Sequence, residues 1–410
     1  MFYDKTNQAG SATLGSLFDG IGGFPLAAKL TGITPVWASE IETVPISITK
    51  RHFPDMSHLG DIAKIKGGNI APVDVVTFGS PCQDLSIAGK RAGIGGARSG
   101  LFMEAIRIIK EMRYETNGTA PTFIVWENVP GTFSSNKGED FRTIIEEIAR
   151  IAEDRLSIPQ PSRRGKLWNN AGIVEGNGFS IAWRVLDAQF WGVPQRRRRI
   201  FLVADYRGQR AAEILFKRES LSRHFAQVGT ARENIAARIE KCASVELPKV
   251  TYTLTTQAVD SLFIDRGQMF VTHPQTAGTI CASAAGLNRP AGMGNETDLC
   301  VVTFSFQRSD QYKESEISGT LSANDYKSAK GLISQNGSIV RRFTPRECER
   351  LQGFPDNWTA YSHDGKTISD TQRYKALGNS VALPCAAYIF EGIAEAFMRD
   401  SIPQRIVSKP

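Results

Sequence analysis

Cys82 and Glu127 are the residues of this chain whose types and settings suit covalent chemistry. Cys82 lies in Gly79-Ser80-Pro81-Cys82-Gln83-Asp84-Leu85-Ser86, directly after the apolar run Val73 to Phe78. Glu127, in Trp126-Glu127-Asn128-Val129, follows a second apolar run beginning at Thr122. Both positions are predicted at the carboxyl ends of buried strands, the edge at which open α/β sheets bind ligands. A thiolate there can attack an electrophilic carbon, and a carboxylic acid can move a proton to or from the same substrate. A thiol hydrolase also fits such a pair, but it needs a partnering histidine and none is suitably placed. The other cysteines (242, 281, 300, 348 and 385) form no Cys-x-x-Cys pair and the five histidines are scattered, so they read as buried thiols and not as a zinc site.

A second group of residues suits a nucleoside cofactor. Phe18-Asp19-Gly20-Ile21-Gly22-Gly23 places glycines where a turn leaves the first strand, and close backbone approach by a ligand needs such residues. A purely structural turn accounts for this motif equally well. Glu40 ends the next strand about 20 residues on, where an acid can hold ribose hydroxyls. Asp61 is a third candidate contact. Arg196 to Arg199 form an unbroken basic run, and the segment from Gly89 to Gly100 carries Lys90, Arg91 and Arg98 among glycines. With a net charge of +7, the 410-residue chain suits an anionic partner, although charge alone leaves nucleic-acid binding near even odds.

These residues require a sheet to hold them. Short apolar runs alternate with amphipathic stretches through the first half, as in βαβ units. Strands are expected over Thr13 to Phe18, Val36 to Ser39, Val73 to Phe78, Thr122 to Trp126, Ile181 to Leu186 and Ile200 to Ala204. Helices are expected over Phe24 to Leu30, from Glu40 to about Arg51, Leu101 to Met112, Asp140 to Ile151, near Leu351, and Leu383 to Met398. Runs such as VDVVTF and RIFLVA are apolar on both faces, which marks a sheet covered on both sides. The fold class is therefore a doubly wound, Rossmann-like α/β domain. Asp154 to Gly178 reads as a loop or insertion. After about Tyr206 the rhythm stops, and a smaller irregular β-containing domain follows. It carries a faint repeat at Tyr252-Thr253-Leu254-Thr255, Gly278-Thr279-Ile280-Cys281-Ala282 and Gly319-Thr320-Leu321-Ser322-Ala323.

The ordered motifs resemble those of the DNA cytosine-C5 methyltransferases of bacteria and phages. The resemblance runs through LFDGIGG at 17–23, Glu40, Asp61, SPCQDLS at 80–86, ENV at 127–129 and QRRRR at 195–199. It continues in RRFTPRE at 341–347, RLQGFP at 350–355 and GNSV at 378–381. It implies S-adenosylmethionine as methyl donor, Cys82 as nucleophile on C6 of a flipped-out cytosine, and Glu127 as the acid engaging N3. Arg197 and Arg199 match the Gln-x-Arg-x-Arg pattern and would assist, with Arg196 and Arg198 on the opposite strand face. Phe18, Gly20, Gly22, Glu40, Asp61, Asn379 and Ser380 would line the donor pocket, which requires the C-terminal segment to return beside the first strand. Residues 1–207 would form the catalytic domain, 208–338 the target-recognition domain, and 339–410 the returning segment. The chain departs from the pattern at Ser16, where many relatives have Asp, at Asp19, where they have a small residue, and at Asp187, where Asn is expected.

The partner implied is double-stranded DNA, bound by a monomer, with a cognate restriction endonuclease as a further candidate. No apolar run is long enough for a membrane span and no secretory signal is evident, so a cytoplasmic protein is expected. Competing readings are an RNA cytosine-C5 methyltransferase, a catalytically inactive DNA-binding homologue, and a hydride-transferring Rossmann enzyme that leaves Cys82 unexplained.

Overall fold

The computed structural model describes residues 12–80, 100–159, 168–216, 301–307, 311–315, 331–335 and 339–400. Cys82, the basic segment 89–99, all three copies of the faint repeat and most of 208–338 lie outside the described residues. The chain divides into two compact units. One comprises Met1–Phe216, Thr303–Ile333 and Val340–Pro410, the other Lys217–Val302 and Ser334–Ile339. Only the first is described in any extent.

Its centre is an eight-stranded sheet in the order β3-β2-β1-β4-β5-β8-β7-β6. The strands are β1 (Thr13–Leu17), β2 (Thr34–Ser39), β3 (Ser57–His58), β4 (Val75–Phe78), β5 (Phe123–Asn128), β6 (Ala171–Gly176), β7 (Phe179–Asp187) and β8 (Arg198–Asp205). The first five are mutually parallel where they pair, and β8, β7 and β6 run antiparallel to their neighbours. A second, four-stranded sheet is formed by β9 (Val301–Gln307), β10 (Gln311–Ser315), β11 (Gly331–Gln335) and β12 (Ile339–Arg342), in the order β10-β9-β11-β12.

The helices are α1 (Gly23–Leu30), α2 (Thr43–His52), α3 (Gly100–Glu115), α4 (Glu139–Ala149), α5 (Ala211–Leu215), α6 (Pro345–Gln352), α7 (Asp370–Asn379) and α8 (Leu383–Asp400). Alternate side chains of the central strands feed two cores. Leu14, Val75, Val125 and Phe201 pack with α1, α5, α6 and α8, whereas Leu17, Val76, Trp126 and Leu202 pack with α3 and α4. Each large apolar side chain fully buried here, such as Phe390 or Trp126, contributes about 1.5–3 kcal/mol. This is the Rossmann-like, doubly covered sheet expected from the sequence.

The C-terminal segment returns to the first strand, as the motif order requires. Thr344 caps α6 through a reciprocal capping box with Glu347, Pro345 opens the helix, and Gly353 closes it in the left-handed region. Trp358 stacks on His52 and donates from Nε1 to the carbonyl of Ile21, 2.8 Å away. α8 packs along α1, and a Cβ added at Gly23 would lie 2.6 Å from Val381. Only glycine permits that approach.

Three elements differ from the sequence expectation. β6 lies within the stretch read as a loop, because this edge strand buries no side chain and so has no apolar alternation to detect. α5 lies past the point where the βα rhythm was read to stop, yet Ala211, Ile214 and Leu215 belong to the core. That core therefore extends beyond the expected boundary at 207. α7 is largely polar outside Ala376 and Leu377, and its helical period is correspondingly weak. Among the described residues no single helix is long and apolar enough to cross a membrane.

Candidate active site

The end of β1 turns through an unusual backbone path. Phe18, Gly20 and Gly22 all have positive φ, at 54°, 58° and 81°. For Phe18 this conformation costs about 1–3 kcal/mol, which the surrounding bonds must offset. The amide of Asp19 donates to the Ser39 carbonyl (3.0 Å), and the amide of Gly20 donates to Glu40 Oε2 (2.9 Å). The other Glu40 oxygen accepts from the amides of Ile41 (2.8 Å) and Glu42 (3.0 Å). Glu40 thus ties the glycine turn to the end of β2. Gly22 caps α1 with no side-chain hydrogen bond, and the first turn of α1 carries no acid. Asp61 caps a single 3-10 turn through the Ala63 amide (3.0 Å) at the end of the segment after β3.

Asp19 is 6% exposed, and among the described residues neither of its carboxylate oxygens has a well-formed hydrogen bond, although the Ser16 hydroxyl lies beside it. The buried hydroxyl of Thr77, next to Ser16, has no partner among those residues. Ser16 and Thr77 pair directly across β1 and β4. Burial pushes the Asp19 pKa up to about 8; the Ser16 hydroxyl opposes this and the negative Glu40 adds to it. An unfolded aspartate titrates near 3.9. Folding therefore takes up a proton between about pH 4 and pH 8, so this contribution to stability is complete below that window and lost as pH rises through it. Asp19→Asn removes the titration, and its melting temperature should gain on that of the unaltered protein between about pH 5 and pH 9. Parallel melting curves across that range would refute the assignment.

Glu127 sits on β5 opposite the residue that follows β4. A Cβ at Gly79 would lie 3.2 Å from Glu127 Oε2, so the carboxyl rests directly on the chain leading to Cys82. Asn128 Nδ2 donates to the carbonyl of Ser80 at 3.1 Å, fixing that chain two residues before the cysteine. Arg199 Nε stands 3.2 Å from Glu127 Oε1. Burial raises the pKa of Glu127, and the charges of Arg199 and Arg197 oppose the rise.

Arg197 is 2% exposed and reaches from the start of β8 into the C-terminal segment. Its Nη2 donates to the carbonyls of Gly378 (3.2 Å) and Ser380 (2.5 Å). Asp187 accepts from the Arg197 amide (3.0 Å) and from Gln189 Nε2 (2.7 Å). Burial, with Arg199 alongside, lowers the Arg197 pKa to about 9, which leaves it cationic at neutral pH. Arg196 and Arg198 are exposed. Asn379 is exposed at the end of α7, while Ser380 is buried against Gly23. Cys348 and Cys385 are buried.

The family model for C-5 cytosine-specific DNA methylase matches residues 12–152 and 166–395. The chain belongs to that family. Its cofactor is S-adenosylmethionine. The β1 turn fits such a molecule: it offers a buried carboxylate, and among the described residues no further atom lies within 4 Å of a Cβ placed at Gly20. Among relatives of this chain, a DNA N-6-adenine-methyltransferase of Escherichia phage P1 is 29% identical over 471 residues. That match covers 94% of this chain and 61% of the phage protein, so the chain spans less than two thirds of that relative. Type II methyltransferase M1.ScrFI of Lactococcus lactis subsp. cremoris is 29% identical, with 92% of this chain and 77% of its own length covered. The crystal structure of S. pombe Dnmt2 methyltransferase has the same fold, with a TM-score of 0.54, 15% identity, and 94% of this chain and 99% of that chain covered.

The structure brings Glu127, Arg199 and Arg197 to one place, and Ser380 to the start of α1. It places Phe18, Gly20, Gly22 and Glu40 together at the β1 turn. Asn128 had no role in the sequence reading, although its place beside Glu127 and its amide side chain were in view.

Proposed function

We propose that this chain transfers a methyl group from S-adenosylmethionine to C5 of a cytosine within a specific sequence of double-stranded DNA. The observation that carries this reading is Glu127 resting on Gly79, with Asn128 holding Ser80, two residues before Cys82. A carboxyl group whose pKa is raised by burial, next to a cysteine segment, is suited to assist addition to a pyrimidine ring.

When bound, S-adenosylmethionine supplies a methyl group on sulfur that a carbon nucleophile can take. Cytosine C5 is too weak a nucleophile by itself. The Cys82 thiolate adds to C6 while Glu127 delivers a proton to N3, which leaves C5 enamine-like. Once C5 is methylated, loss of its proton to water and cleavage of the C6–S bond restore the ring and the thiolate, and the N3 proton returns to Glu127. Arg199 orients the Glu127 carboxyl, and Arg197 holds Gly378 and Ser380 in place behind it. Glu40, Phe18, Gly20, Gly22, Asp61, Asn379 and Ser380 form the donor pocket. The base must leave the helix stack to reach Cys82, and residues beyond α5, up to about 338, choose which base that is. The enzyme acts as a monomer in the cytoplasm, where its mark would block a restriction endonuclease of the same sequence.

An adenine N6 amine is already a nucleophile and needs no thiolate, so the Cys82–Glu127 pair favours cytosine. Bisulfite sequencing of DNA from cells expressing the protein, with mass spectrometry of its nucleosides, tests the reading. The expected result is 5-methylcytosine confined to one short sequence. N6-methyladenine as the product, or methylation of RNA alone, would overturn it.

A further inference from the structure

We propose that Asp19 recognises the ammonium group on the amino-acid end of the methyl donor. The inference rests on placing the donor at the β1 turn. Asp19 is the residue there that departs from the family pattern, which has a small side chain at this position. Its carboxylate is nearly enclosed, and neither oxygen has a well-formed hydrogen bond among the described residues. No Lys, Arg or His forms an ion pair with it among those residues. Glu40 cannot compensate it, being of the same sign and already accepting three backbone amides.

A buried carboxylate with only the Ser16 hydroxyl beside it is strongly disfavoured as an anion. A cation carrying N–H groups removes that penalty and restores the ionised form. S-adenosylmethionine has two positive centres. The sulfonium has no hydrogen to donate, whereas the ammonium has three. Two acceptor oxygens without a well-formed hydrogen bond therefore match the ammonium. The open space at Gly20 and the acid-free first turn of α1, beside Asp19 in the chain, leave room for the carboxylate on the same carbon.

The test uses the full chain and calorimetric titration with three probes: S-adenosylmethionine, S-adenosylhomocysteine and 5'-methylthioadenosine. The last keeps adenine, ribose and sulfur but has no amino-acid end. Asp19→Asn should weaken the first two alike, by about ten- to a hundredfold, and leave the third unchanged. Loss confined to S-adenosylmethionine would mean that Asp19 faces the sulfonium, and would overturn the proposal. Equal loss for all three probes, or no loss, would overturn it as well. Glu40→Ala separates this from the underlying placement, because removing the ribose acceptor should weaken all three probes. If Glu40→Ala binds normally, the donor is not on this turn; if only Asp19→Asn binds normally, the placement stands and the ammonium assignment fails.

Discussion

Exchange of Cys82 for serine should abolish both methyl transfer and covalent capture of the target base. The trap is DNA with 5-fluorocytosine at the target position. After thiolate addition and methylation, C5 has no proton to lose, and fluorine cannot leave as a cation. The C6–S bond then persists, and the protein should migrate with DNA on a denaturing gel in a manner that requires both cofactor and target sequence. A neutral serine hydroxyl is a far weaker nucleophile than a thiolate, so the band should vanish in Cys82→Ser. Exchange of Cys348 or Cys385 should leave the capture itself intact, because both thiols are enclosed, and burial pushes that of Cys385 well above its ordinary range. An adduct that survives in Cys82→Ser, or that maps to another cysteine, would remove the nucleophile assignment.

Glu127→Gln should slow methyl transfer by about 10²–10⁴-fold while leaving DNA and cofactor binding largely intact. The amide keeps the shape of the carboxyl beside Gly79 and can still meet Arg199, but it cannot deliver a proton to N3. Burial raises the Glu127 pKa. The protonated form is thereby enriched, so the unaltered enzyme should lose rate as pH climbs above the Glu127 pKa, and the variant should lose that limb of the profile. Single-turnover rates within a few-fold of the unaltered enzyme would sink the acid role. Loss of cofactor affinity in parallel with rate would instead indicate collapse of the β5–β8 edge.

Much of this site was legible in the sequence because its parts lie where strands end. Apolar runs such as VDVVTF locate β4 whatever its neighbours, and the residue after the run must then stand at the carboxyl edge. The Gln-x-Arg-x-Arg pattern of the resemblance separates Arg197 and Arg199 from Arg196 and Arg198, and of the four only Arg196 and Arg198 are exposed. The partners of Arg197 were not legible, since Gly378 and Ser380 are remote in sequence and accept through backbone carbonyls, which every residue has. Nor was the burden on Glu40. A carboxylate at the end of β2 announces a ligand contact, but nothing in its type reveals that Gly20, Ile41 and Glu42 all donate to it. β6 escaped notice for the opposite reason, as an edge strand without buried side chains gives no pattern to find.

The embrace of α1 by α8 has a consequence for how the chain is made. Of the described helices, α1 is made first and α8 last, yet each covers the other's apolar face. Until α8 is made, Phe24 and Leu26 have no Phe390 or Ile393 to rest against. One side of the sheet therefore stays open until then, a span in which exposed apolar surface invites chaperones or aggregation. That side of the sheet is covered only when α8 closes over α1.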